Sequence, residues 1–136
     1  MTGATHILAA AAVYSLTSRH KPIGLTLAFS SHFFLDSIPH YELNLMWNIV
    51  PSMLAAAFVA IAACRNKDFY IVIAAFLGAF PDINRITGFN QTIDQLHSYF
   101  HFRRHGQEIP STFLLAEFVF DLLFIKIITL NNRSKS

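Results

Sequence analysis

The sequence predicts an all-α fold, a polytopic membrane helical bundle of four to five helices plus an amphipathic interfacial helix. Three observations predict it. Charged residues (DEKR) make up 13% of the 136-residue chain and apolar residues 54%, whereas an ordinary soluble domain carries about 25% charged residues. Mean hydropathy is +0.44, which points to a bilayer. The charges gather in short clusters that separate apolar runs. Residues 1–136 are expected to form a single domain. The apolar excess argues against disorder. A net charge of +2 with no basic arm or face argues against nucleic acid as a partner. Cys64 is the single cysteine, so an intrachain disulfide and a Cys-rich zinc site are excluded. At the end of an apolar run it reads as a small buried hydrophobe.

The elements follow in order. Residues 4–18 carry no charged side chain and read as a first helix, short for a span. A signal peptide is the competing reading, but it needs a basic stretch that is missing before Arg19. Pro22 suits the first turn of a second helix, over 22–38, which Pro39 closes. Residues 46–64 are the clearest spanning segment, with Pro51 as a kink or a true start. Residues 69–80 are a short fourth run, of a length that suits a buried or re-entrant segment. Residues 81–110 are the long polar stretch, with a surface helix inside it. Residues 111–130 are a last helix with Ser111 as a plausible N-cap.

If all five runs cross, Arg19, Lys21, Arg65, Lys67, Arg133 and Lys135 share one side, and Arg85, Arg103 and Arg104 share the other. The larger set marks the cytoplasmic side, and the amino terminus then lies outside. Alternating crossings have a further consequence. His6, Asp36, His40, Asp82, His97, His101 and His105 all fall at one membrane face, whichever way the bundle points.

Within that layer, His32 and Asp36 are separated by one helical turn, so an imidazole and a carboxylate can reach one ion. Chance supplies about 0.4 His-x-x-x-acid pairs in such a composition, so the spacing alone is weak. The setting strengthens it, because an ionisable group in a membrane helix costs about 2.5–3.5 kcal/mol and is a functional candidate by default. A structural His–Asp hydrogen bond is the alternative. Asp82, after Gly78-Ala-Phe-Pro81, reads either as a ligand or as a turn or capping aspartate. His6 alone reads as a packed or interfacial histidine. Asp94, His97, His101 and His105 form one stripe if helical. It is either the polar face of a surface helix or a further ligand pair, His97 and His101. His40, beyond Pro39, is the best spare general acid or base. Glu117 and Asp121, a turn apart in the last apolar run, need partners, either ligand imidazoles or a cation from another helix.

Thr5-His6, Ser31-His32-Phe-Phe-Leu-Asp36-Ser-Ile-Pro39-His40-Tyr-Glu42 and Gly78-Ala-Phe-Pro81-Asp82-Ile resemble the motifs of a family of small bacterial and archaeal inner-membrane proteins, the membrane-bound metal-dependent hydrolases. That family looks distantly related to the all-helical zinc-dependent phospholipase C and nuclease group. The resemblance implies that His6, His32, Asp36 and Asp82 take metal positions, and that His97 and His101 belong to a further His-x-x-x-His segment. Asn84 stands where many relatives carry a second aspartate. The expected function is hydrolysis of a phosphoester or lipid-linked substrate by a metal-activated water. Zinc is the expected divalent metal, with manganese or iron as alternatives, and the lipid bilayer is the expected partner. The alternatives are a non-catalytic protein whose cluster staples helices or binds metal, and a small transporter component.

Overall fold

A helix that is apolar all round has no side to turn toward water, so it belongs in the middle of a bundle. Gly3–Thr17 is such a helix. Eleven of its fifteen residues are buried, and Ala9–Ala12 are all covered. The computed structural model describes residues 1–41, 43–101 and 110–133, with the side chains of 132 and 133 outside that description. The described residues form six helices and no strand: α1 (Gly3–Thr17), α2 (Lys21–Asp36), α3 (Leu45–Asn66), α4 (Tyr70–Thr87), α5 (Gln91–Phe100) and α6 (Phe113–Arg133). Helix α1 packs against α2, α3, α4 and α6, while α5 packs against α4 and α2 only. Small alanine side chains let the surrounding backbones come close to α1. Helix α4 comes close at Gly78, where an added Cβ would stand 2.7 Å from the His6 carbonyl oxygen and also meet the Ala10 methyl.

The ends of α1 are fastened. Thr2 caps its first turn by accepting from the Thr5 N–H, and the Gly3 N–H donates to Asn48 Oδ1 at 2.8 Å. At the other end Tyr14 donates to the Asp68 carboxylate at 3.0 Å, and Asn131 Nδ2 donates to the Ser15 carbonyl. Asn44 caps α3, and Lys67 ends it in the left-handed region with φ 53°.

Three expected boundaries move. The fourth helix does not stop at residue 80; α4 runs through Pro81 to Thr87, where Gly88 at φ 66° closes it. A proline inside a helix costs about 3 kcal/mol in isolation, but Pro81 is fully buried and tertiary packing overrides local preference. Helix α5 ends at Phe100, so the expected stripe is helical only as far as His97, with His101 as the C-cap; His105, Arg103 and Arg104 lie outside the described residues. Helix α6 begins at Phe113, two residues past Ser111. Cys64 is exposed, because it faces outward from α3.

The outer faces are apolar. Phe34, Trp47, Leu54, Leu115 and Phe118 are each more than 60% exposed. Among the described residues α3 is long and apolar enough to cross a membrane, and the pair α4 and α5, bent by 111°, is a second candidate if it counts as one broken span. The 22 residues of α3 extend about 33 Å, against a hydrocarbon core of about 30 Å. The helices α1 and α2, with 15 and 16 residues, are shorter than a usual crossing. Glu117, Asp121 and Lys126 interrupt α6. Length and composition therefore mark one or two crossings where the sequence led us to expect four or five.

Replacing Gly78 by alanine should separate α1 from α4. Overpacking of this kind costs about 1–3 kcal/mol, to be read as a lower thermal midpoint in detergent. An unchanged midpoint would mean that the two backbones are not in contact there.

Candidate metal centre

The centre is built around the carboxylate that ends α2. Asp36 is 1% exposed, and an unpaired charge at such a place is costly. Three imidazoles from three helices face it. His6 Nε2 of α1 lies 3.0 Å from Asp36 Oδ1. His32 Nε2 of α2 and His97 Nε2 of α5 lie 3.1 and 2.8 Å from Asp36 Oδ2. The second carboxylate, Asp82 of α4, stands 3.5 Å from His97 and 3.9 Å from both His6 and His32. The Met1 amino group also stands 3.6 Å from Asp36 Oδ1. His6 and His32 lie ring to ring at 4.1 Å, and His32 and His97 at 5.0 Å.

Local structure places each group. His32 and Asp36 share one face of α2 by the i, i+4 spacing. Helix α4 presents Asp82 because it does not break at Pro81, so Asp82 is a helical residue and neither a turn nor a cap. His97 depends on the bend after α4. Asn84, 1% exposed, donates from Nδ2 to the Asn90 carbonyl and accepts the Asn90 N–H, both at 2.9 Å. Asn90 then caps α5 through the N–H groups of Thr92 and Ile93. This clamp returns α5 toward α2 with His97 buried.

Hydrogen positions follow from the partners. His32 Nδ1 lies 2.8 Å from the Gly78 carbonyl oxygen, which only accepts, so Nδ1 carries the hydrogen. In the neutral ring, Nε2 then presents a lone pair toward a carboxylate oxygen, which is repulsive unless a cation lies between them. His6 Nε2, His32 Nε2 and Asp36 Oδ1 are buried without a hydrogen-bond partner. Such a set suits a divalent ion. Donors of a tetrahedral zinc site, about 2.1 Å from the ion, stand about 3.4 Å apart. The separations here, from 2.8 to 3.9 Å, straddle that value. One ligand atom each of His32, Asp36, Asp82 and His97 falls within 4.8 Å of the others, and His6 stands at the edge of this set through its contact with Asp36 Oδ1. Within this set, one divalent ion, three neutral imidazoles and two carboxylates carry no net charge.

The structure thus brings His6, His32, Asp36, Asp82 and His97 together. His101 and His40 sit beside them as a neighbouring group with Asp36. The acids of α6 take up neither of the expected partners. Glu117 Oε2 accepts the Thr2 N–H at 2.9 Å and faces Thr5 Oγ at 3.5 Å. It holds the amino-terminal end of α1, where the helix dipole favours an anion, and so positions His6 from behind. The contributions of Asn48, Asn84 and Thr2 escape the sequence reading, because each acts through a partner distant in the chain. The acidic pair in an apolar run was the visible signal for Glu117.

A cavity of about 490 Å³ opens onto the cluster. Asp36, Asp82, His40 and His101 stand on its polar side, Ile49 and Met53 of α3 and Ile83 and Ile86 of α4 on its apolar side, and Arg85 also lines it. His6, His32 and His97 do not line it.

Changing Glu117 to alanine removes the acceptor of a buried N–H, a loss of about 1–3 kcal/mol. Thermal unfolding should show it as a lowered midpoint, while Leu115→Ala, on the exposed side of the same turn, should leave the midpoint in place. Equal effects from the two would refute the anchoring role.

Set against known protein families, curated proteins and solved structures, the chain matches none of them.

Proposed function

We propose that the protein is a membrane-bound metal-dependent hydrolase acting on a phosphoester carried by a lipid. The observation that carries this reading is the convergence of His32, His97, Asp36 and Asp82, with the two carboxylates opening onto a cavity that also has apolar lining. His6, His32, Asp36, Asp82 and His97 would hold the metal, with zinc first by the chemistry of the donors. A bound divalent ion supplies Lewis-acid chemistry: it acidifies water and polarises a phosphoryl oxygen. The resemblance of the His32–Glu42 and Gly78–Asp82 motifs to the metal-dependent hydrolase family supports the same reading.

The chain's own groups have separate tasks. The Ile49, Met53, Ile83 and Ile86 wall takes an apolar chain and keeps water from that part of the cavity. Arg85 meets the anionic charge of the phosphoester. His40 Nε2 is buried without a hydrogen-bond partner on the cavity side, placed to take a proton from the attacking water. As the new P–O bond forms and the ester P–O bond breaks, that proton passes to the leaving alkoxide. The apolar outer faces support a bilayer location for the whole bundle, with α3 as a spanning segment. The family resemblance is the support for an inner membrane, and an amino terminus and cluster on the outer side would follow from the arginine and lysine distribution if all five apolar runs cross. A polar staple without catalysis accounts for the ties among α1, α2 and α5 but leaves the cavity without a role.

The test is metal content. In mild detergent and without a histidine tag, the purified chain should contain at least one zinc, manganese or iron ion. His32→Ala/Asp36→Ala should lose that metal together with hydrolysis of lipid phosphoesters. A folded wild-type chain that stays metal-free after resupply with these ions would leave the staple as the function.

A further inference from the structure

The end of the bundle away from the candidate metal centre carries a different charge. The last turn of α1, the first turn of α2 and the link between α3 and α4 meet there. Tyr14 donates to the Asp68 carboxylate at 3.0 Å. Lys21 Nζ lies 4.1 Å from the centre of the Tyr70 ring. A Cβ added at Gly24 would stand 2.8 Å from Thr17 Oγ1, so α2 starts in close contact with the end of α1. These ties gather Arg19, Lys21, Arg65 and Lys67 at one end, all four exposed. Among the described acidic residues, Asp68 is the one at this end, and it turns toward Tyr14 and the Tyr70 N–H. Asp36, Asp82, Asp94, Glu117 and Asp121 belong to the other half of the bundle, together with Arg85.

Lys67 adds a second observation. It closes α3 in the left-handed region at φ 53°, where the corresponding residue closing α4 is Gly88 at φ 66°. A glycine there would relieve the backbone but would give up a charge. The basic end also runs into apolar surface. Leu16, Ile61, Phe69 and Ile73 are exposed around it, and Tyr70 stands with Phe69 at the start of α4. Aromatic rings of this kind favour the boundary between lipid and water. Exposed Trp47 lies near the opposite end of α3. The rise from Trp47 to Arg65 is about 27 Å, close to the thickness of a hydrocarbon core of about 30 Å.

We propose that this basic end is a binding site for an anionic phospholipid. Arg19, Lys21, Arg65 and Lys67 hold the headgroup phosphate, and the acyl chains lie along the exposed apolar faces of α3 and α4. Lysine and arginine gathered at the end of a spanning helix attract anionic headgroups. A free phosphate would use the charges and leave the adjoining apolar surface without a role, so the lipid is the occupant that fits both. The inference rests on the bilayer location proposed above and is independent of the metal. Because the four cations come from both helix links, the bound lipid ties α1 and α2 to α3 and α4 from outside.

Lipid titration of the tag-free chain in neutral detergent tests this, with bound lipid counted by native mass spectrometry. Phosphatidylglycerol should bind more tightly than phosphatidylcholine of the same chains, and added salt should reduce the difference. Each basic residue should contribute about fivefold in affinity. Arg19→Gln/Lys21→Gln and Arg65→Gln/Lys67→Gln should therefore each weaken phosphatidylglycerol about 25-fold and leave phosphatidylcholine unchanged. Lys67→Gly should weaken it about fivefold while raising the thermal midpoint without lipid, which separates the loss of a charge from a loss of fold. Equal affinities for the two lipids, or a preference kept in both double variants, overturn the proposal. Displacement of phosphatidylglycerol by inorganic phosphate would make the site one for the free anion and overturns the lipid as its occupant. A chain that stays dispersed without detergent or lipid overturns the bilayer reading itself. If one double variant fails to fold, the other and Lys67→Gly decide.

Discussion

The contact on which the rest of this structure depends is a buried carboxylate facing three imidazoles. Asp36 closes α2, and its oxygens are within 3.1 Å of nitrogens carried by α1, α2 and α5. No single helix could assemble that set. It requires α1 at the centre, α4 drawn against α1 at a glycine, and α5 folded back by a side-chain clamp. Gly78 joins two of these demands at one residue, because its missing side chain admits the α1 backbone and its carbonyl oxygen fixes the His32 ring. The polar centre and the closest apolar packing are thus two results of one approach.

The molecule distributes apolarity unusually. Five of the fifteen residues of its central helix are alanines, and many of its large hydrophobes, Trp47, Phe34 and Leu115 among them, point outward. In water the large side chains would drive collapse inward. In lipid no such drive exists between helices, and association rests on small residues, close packing and polar contacts. The hydrogen bonds at both ends of α1, to Asn48 and Glu117 at one end and to Asp68 and α6 at the other, are polar fastenings of that kind.

Much of this was legible in the sequence. The apolar runs bounded by Pro22, Pro39 and Arg65 marked α2 and α3 closely, and the i, i+4 relation of His32 and Asp36 was visible because it is local. The meeting of His6, Asp82 and His97 with that pair was expected from a count of five crossings, whereas length and composition mark one or two candidates, so the packing of α1, α4 and α5 is what brings them together. Where local rules were overridden, the sequence misled. Pro81 looked like an end because a proline usually ends a helix, but its burial within the bundle outweighs the lost hydrogen bond. Glu117 looked like a partner for ligand imidazoles or for a cation, because nothing in the sequence says that the first turn of α1, more than a hundred residues earlier, will lie beneath it. Asn84 stood out only as a departure from the family motif, yet it holds the turn on which His97 depends.

The bend after α4 gives α5 an unusual position in the economy of the fold. Among the described helices it touches α4 and α2 alone, yet it delivers His97 and His101. An ion bound at the centre would do for α5 what a hydrophobic face does for its neighbours, and its binding free energy would in part be the docking free energy of that helix. Loading the centre and docking the helix would then be one event, with the Asn84–Asn90 clamp as the fixed end of the arm and the ion as its latch.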